Sequence, residues 1–184
     1  MKRLTDIVLS LTALALLAPV LLAAALAVVV GSGWPVFFKQ TRVGLGGREF
    51  GMFKFRSMVK NAASIGPFYT DTNDARITRV GQFIRRTSID ELPQIINVLR
   101  GDMSLVGPRP DVPVQRALYA PEDWVQRCSV RPGITGLAQA LHRSEATNAQ
   151  RLALDLQYTQ QRSVWLDLKI MWWTLARLTG KASN

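Results

Sequence analysis

The sequence predicts an α+β protein, mostly helical. It has an N-terminal re-entrant membrane helix broken at Pro19, a small cytosolic domain with a short β-hairpin, and interfacial amphipathic helices. Three observations carry this. No charged residue occurs from Ile7 to Phe38. Both flanks of that apolar run are basic. The rest of the 184 residues mixes short glycine- and proline-punctuated segments with helical ones, enough for one domain with a modest core.

The apolar run, "IVLSLTALALLAPVLLAAALAVVVG" from Ile7 to Gly31, exceeds the roughly 20 residues that cross a bilayer. It also exceeds the 7–15-residue core of a secretory signal. Lys2 and Arg3 precede it, while Lys39, Arg42, Arg48, Lys54, Arg56 and Lys60 follow. The positive-inside tendency places both flanks on the cytoplasmic side. Pro19 deletes one backbone hydrogen bond near the middle and bends the helix. Each arm then holds about 12 residues, roughly 18 Å, too short to cross. A helix that enters and leaves one leaflet satisfies all three facts; a straight spanning helix that tolerates its proline is the alternative. The expected division is a membrane anchor over 1–33 and a cytosolic domain over 34–184.

"GSGWP" punctuates the exit, with Trp34 suited to the headgroup level. Next, "VFFKQTRVGLGGREFGMFKFRSM" reads as two short strands around a glycine turn. Its glycines do not form a phosphate loop, because Glu49 stands where the last glycine of G-x-G-x-x-G is required. In "MFKFR", Phe53 and Phe55 fall on one strand face, Lys54 and Arg56 on the other. Ser32 to Ser88 holds ten Lys/Arg against three Asp/Glu. That surface attracts anionic lipid, at about 1 kcal/mol per basic residue, or forms a floor for phosphates. Residues 61–80 read as an irregular loop, 112–127 show no catalytic spacing, and 148–163 read as a polar helix. The closing stretch "SVWLDLKIMWWTLARLTGK" repeats Leu168, Met171, Trp172 and Leu175 at helical spacing. Its tryptophans and cations suit an amphipathic helix at a bilayer surface; packing on the core is the alternative.

Composition narrows the chemistry. A formal charge of +10 favours polyanions. A single cysteine, Cys128, forbids an intramolecular disulfide, and a single histidine, His142, leaves no His/Cys zinc site. No nucleophile motif accompanies His142. If the chain is a catalyst, carboxylates, arginines and a metal ion must supply the chemistry.

The candidate carboxylates stand in "RRTSIDELPQIINVLRGD". Pro93 belongs in the first turn of a helix that ends at Gly101, which puts Asp90 at or near its N-cap. Ser88 and Glu91 also match the S-x-x-E capping box, so capping alone accounts for the acids. The same helix start, with Arg85 and Arg86, equally favours ionised carboxylates and a bound phosphate. Adjacent helical residues diverge by about 100°, so the two acids can take separate roles. A carboxylate can attack phosphorus, and Mg²⁺ takes one or two carboxylates plus phosphate oxygens. Arg109, fixed between two prolines, and Arg131 and Arg143, in a glycine-containing loop, add guanidinium forks for phosphate. On the residues alone, capping and catalysis both stand.

Four blocks in order, "KFRSM", "SIDELPQIINVLRGDMSLVGPRP", "VRPGITGLAQ" and "RSVWLDLKI", resemble the bacterial sugar transferases, the monotopic phosphoglycosyl transferases. The resemblance runs from about residue 2 to 178 and includes the proline-containing apolar segment. It implies a re-entrant helix on the cytoplasmic face of the bacterial inner membrane. It implies transfer of a sugar 1-phosphate from a UDP-sugar to undecaprenyl phosphate, with release of UMP, as the first membrane step of a glycoconjugate or exopolysaccharide. It implies Mg²⁺ as cofactor, Asp90 as covalent nucleophile and metal ligand, and Glu91 as its assistant. Arg85, Arg109 and Arg143 match family arginines that hold phosphates, and Arg131 matches more weakly. Membrane lipids are further partners, nucleic acid is not, and homo-oligomerisation stays open. Two departures stand out: Ala18-Pro19 replaces a common Ser-Pro at the helix break, and "ALHR" replaces an Asn-Gly-Arg run after the "GLAQ" block. A basic membrane-surface adaptor would explain charge and tryptophans but not the acid pair. A nucleic-acid binder would need no anchor, and no recognition motif is present.

Overall fold

The computed structural model describes residues 1–66, 74–142 and 146–178. Its first element, α1 (Lys2–Ser32), is one helix with Pro19 inside it. The expected break at Pro19 is therefore absent as an interruption. A proline deletes one donor, and the remaining ladder carries the helix past it. The 31 residues amount to about 46 Å of helix axis.

Both ends of α1 are docked on the same body. At the start, Lys2 Nζ donates to Asp167 at 2.5 Å and to Tyr158 Oη and the Val106 carbonyl, each at 3.1 Å. Arg3 donates to the Val98 and Leu99 carbonyls. The buried Asp6 carboxylate accepts from Ser104 Oγ and the Leu105 N–H. At the other end, Ala24 and Val28 pack with Val36, Phe55 and Ile84. Arg56 donates to the Ser32 and Gly33 carbonyls, neutralising the negative end of the helix. Between these clamps, none of residues 11–23 is buried.

The expected hairpin forms from β1 (Phe37–Val43) and β2 (Glu49–Phe55), antiparallel, with Phe37 opposite Phe55 and Val43 opposite Glu49. Phe55 is buried against α1, and Phe53 lies half-buried beneath Lys39 and Arg100. Arg56, assigned by the sequence to a cationic surface, is buried and consumed by the end of α1.

A short α2 (Ala62–Ile65) precedes α3 (Arg79–Arg86), whose N-cap Thr78 accepts from the Gly81 N–H. α4 (Gln94–Arg100) ends at Gly101, whose φ of 94° provides the left-handed turn that stops it. Asn97, fully buried on α4, bonds the Phe53 N–H and the Gly51 carbonyl, and so fastens β2 to α4. β3 (Ser104–Val106) runs parallel to β4 (Gly133–Thr135). This second sheet is not legible in the sequence, because three residues are too few for a period. A Cβ on Gly133 would lie 2.1 Å from the Gly107 nitrogen, so this crossing demands glycine.

α5 (Pro121–Arg127), α6 (Leu137–His142), α7 (Asn148–Gln161) and α8 (Val164–Leu178) complete the body. Thr147 and Gln150 form a capping box on α7. Val106, Val130, Leu137, Ala140, Tyr158 and Ile170 make the largest core cluster. α8 is apolar on two faces: Leu166, Ile170, Met171 and Trp173 pack inward, while Trp165, Leu168, Trp172 and Leu175 are exposed. Packing on the core holds for the inward residues, Met171 among them, and the exposed face is the part left for the surface reading.

Candidate active site

Ser88, at φ 59°, turns the chain out of α3 into a single 3₁₀ turn, Ile89–Glu91. α4 begins only after Pro93. Asp90 is thus not the N-cap of α4, and no capping box forms: neither Ser88 nor Pro93 makes a side-chain cap bond. The deep Pro93 is the physical reason. It fits only the start of a helix, so the acids are pushed into the turn before it.

That turn aims the two carboxylates at different surroundings. Glu91 Oε1 accepts from Lys54 Nζ at 2.8 Å and from Arg109 at 2.9 Å. Burial alone would raise its pKa, but Arg109 and Lys54 outweigh it and carry Glu91 down to about 2. Asp90 is 7% exposed and has no ion pair among the described residues. Burial pushes its pKa above the ordinary carboxylate range; Lys54 and Arg85 oppose, and Glu91 adds to the rise. Lys54 is itself lowered by burial, against the pull of Glu91, and Arg109 is raised by Glu91. Lys54 reaches the acids because β2 alternates and because Asn97 holds β2 to α4.

A second layer fixes Arg109. Its carbonyl accepts from Arg127 at 2.6 Å. Arg127 also pairs with Asp111 at 2.5 Å and with Asp155 of α7 at 2.9 Å. Burial raises Asp155 to about 6 despite Arg127, which serves two carboxylates at once. Arg42 of β1 donates to the Pro110 carbonyl, and the Val43 N–H donates to the Asp111 carbonyl. The segment "PRPD" is therefore clamped between hairpin and helices. Beside it opens a pocket of about 230 Å³, lined among others by Gln40, Arg42, Arg109, Asp111, Gln115 and Arg151.

Asp90, Glu91 and Arg109 of the sequence-predicted set come together, and Arg85, half-buried at the end of α3, acts on Asp90 electrostatically. Arg86 is exposed. Arg131 is not brought to the pair: its Nε donates to the Gly101 carbonyl, beyond the far end of α4. Arg143 lies outside the described residues. No group of three metal-ligating side chains occurs among the described residues. The donors still suit Mg²⁺, which takes few carboxylates and completes its shell with substrate oxygens. Asp90 and the second oxygen of Glu91, since Lys54 and Arg109 both bond Oε1, would supply them.

The model of the bacterial sugar transferase family matches residues 1–181. The chain belongs to the bacterial sugar transferase family. It is 47% identical, over 98% of its length, to the UDP-glucose:undecaprenyl-phosphate glucose-1-phosphate transferase of Xanthomonas campestris. It is 44% identical, over 95% of its length, to the Escherichia coli K12 protein of the same description. It covers only 39% of each of these two relatives. The exopolysaccharide production protein PSS of Rhizobium leguminosarum is 44% identical and 93% covered.

Within this family chain, sequence reasoning missed Lys54 as a site residue, and with it Arg42, Asn97, Asp111, Arg127 and Asp155. Lys54 had one signal, its place in the strand that also carries the "KFRSM" block. Arg127 and Asp155 had none, because an ion pair 28 residues apart leaves no periodic trace.

Proposed function

We propose that this sugar transferase moves a sugar 1-phosphate from a UDP-sugar to undecaprenyl phosphate, releasing UMP, on the cytoplasmic face of the bacterial inner membrane. One observation carries the reading. A buried carboxylate, Asp90, adjoins a second, Glu91, whose charge is already neutralised by Lys54 and Arg109. Two acids with opposite pKa shifts are two roles. Glu91 is a fixed anion that orients two cations; Asp90 is a desolvated anion with reactivity to spare. The relatives' descriptions name the same reaction class for those proteins.

Lys54, Arg85 and Arg109 draw the donor diphosphate toward the acids and offset its repulsion of a carboxylate. Mg²⁺ bound at Asp90 and Glu91 would screen phosphate charge during transfer. An Asp90 Oδ attacks the sugar-linked phosphorus; the P–O bond to UMP breaks and UMP leaves with that electron pair. A phosphate oxygen of undecaprenyl phosphate then attacks the same phosphorus. The Asp90–P bond breaks, and the carboxylate is regenerated. The turn at Ser88 holds Asp90 in place for both attacks.

The lipid phosphate has to meet this site at the membrane surface. A re-entrant α1 explains how: both its ends are clamped to the body that carries Asp90, while its middle is unburied. The outward apolar face of α8 would rest on the same leaflet. UMP release from a panel of UDP-sugars, with undecaprenyl phosphate and Mg²⁺, tests the reading. Wild type releases UMP with one or more donors. Asp90→Asn does not, and forms no phosphosugar adduct detectable by mass spectrometry. Full activity in Asp90→Asn would remove the covalent step.

A further inference from the structure

The pocket beside Arg109 has a charge balance that the acid pair does not explain. Three guanidiniums, Arg42, Arg109 and Arg151, line it with one carboxylate, Asp111, already paired to Arg127. Arg42 and Arg151 make no ion pair among the described residues. Arg42 spends its bonds on neutral acceptors, Gln40 Oε1 and the Pro110 carbonyl. Gln115 Oε1 already takes the Val112 N–H. The lining is therefore richer in donors than in free acceptors, with the guanidiniums and the carboxamide nitrogens of Gln40 and Gln115.

A donor-rich, cationic pocket favours a ligand that is anionic and rich in acceptors. A sugar ring fits poorly, because each hydroxyl also needs an acceptor. A nucleoside 5′-phosphate fits better: its phosphate oxygens and the two carbonyls of uracil take these donors, and only the uracil N3–H and two ribose hydroxyls are left to solvent. Size agrees: about 230 Å³ lies below the roughly 300–1,000 Å³ of a site that encloses a whole drug-sized ligand. It suits one half of a nucleotide sugar. Position agrees as well, because Arg109 lines the pocket and also bonds Glu91, so a phosphate on Arg109 bridges the two places.

The geometry points to this pocket as the subsite for the leaving nucleoside monophosphate, with Arg42 and Arg151 as its binding residues. The assignment rests on the transferase reading above. It places the sugar on the opposite side of the acid pair from β1 and α7, so that UMP departs past the hairpin while the lipid phosphate comes in from the membrane. Burial, and after it the neighbouring Arg109, lower Arg42 to about 10 against the pull of Asp111 and Glu91, so its charge is held there at a cost. A bound phosphate relieves it.

The test uses the full chain in nanodiscs, with calorimetric titration of UMP and of inorganic phosphate beside donor kinetics. Wild type and Asp90→Asn are expected to bind UMP alike. Arg42→Gln and Arg151→Gln are expected to weaken UMP roughly tenfold or more and to raise the donor KM by a similar factor, with the KM for undecaprenyl phosphate unchanged. Should Arg42→Gln fail to fold, Arg151→Gln, in a half-exposed position without an ion pair, decides. Turnover of UDP-sugars with wild-type UMP affinity and donor KM in both variants overturns the subsite and leaves the transferase reading standing. Arginine-dependent UMP binding without turnover of any donor upholds the subsite and overturns the transferase reading. Wild type that neither turns over a donor nor binds UMP overturns both.

Discussion

Asp90 and Glu91 share a turn but not an environment, and their substitutions should separate accordingly. Asp90→Asn removes a desolvated charge, so activity should fall by roughly a thousandfold or more. The melting temperature should hold or rise, since no ion pair among the described residues is lost. Glu91→Gln strips the shared partner from Lys54 and Arg109 and should cost roughly 1–3 kcal/mol of stability as well as activity, read by denaturant titration. The pKa of Glu91 is depressed, so its contribution is complete above the ordinary glutamate value of 4.5 and is lost as pH falls toward about 2. Asp155 has the opposite sign. With a folded pKa near 6, its contribution is complete below the ordinary value of 3.8 and is lost as pH rises through 6. The stability of wild type relative to Asp155→Asn should therefore grow as pH is lowered from 7 to 5. A gap that does not change with pH would mean that Asp155 is ionised throughout.

At the scale of elements, the signals that worked were local. The hairpin was legible from glycine and alternating aromatics, and the end of α4 from Gly101. Gly101→Ala should cost roughly 1–2 kcal/mol through backbone strain alone, since a Cβ there meets nothing nearer than Arg3 at 3.5 Å. The start of α4 was misplaced because a capping box and a proline made competing claims on the same turn. The proline, a steric constraint, won over a hydrogen-bond preference. The β3–β4 pair was illegible because its partners meet only in the folded chain. For α8, periodicity marked an apolar stripe but could not divide it between core and surface. Trp172, 70% exposed, belongs to the outward face. Trp172→Lys should leave the melting temperature unchanged and weaken liposome flotation. Wild-type flotation in that variant would speak against contact of this face with lipid.

Across the whole molecule, the ends of α1 are held by one body through Lys2, Arg3 and Asp6 at one end and Arg56 at the other. If α1 is re-entrant, single cysteines at Leu4 and at Gly33 are both shielded from an impermeant thiol reagent outside intact spheroplasts and both react after lysis; Cys128 is buried. External labelling of Leu4→Cys alone would mean that α1 spans the membrane.

By itself the sequence determined the family, the apolar helix and its basic flanks, the hairpin, the acid pair and the arginine between two prolines. Each of these is written in adjacent residues or in one short period. Only the tertiary structure decided which cations serve which acid. It assigned Lys54 and Arg109 to Glu91, diverted Arg56 to the end of α1 and Arg131 to Gly101, and set Arg127 between Asp111 and Asp155. The reason is physical. A side chain's charge is fixed by its type, but its partner and its desolvation are fixed by what the rest of the chain packs beside it.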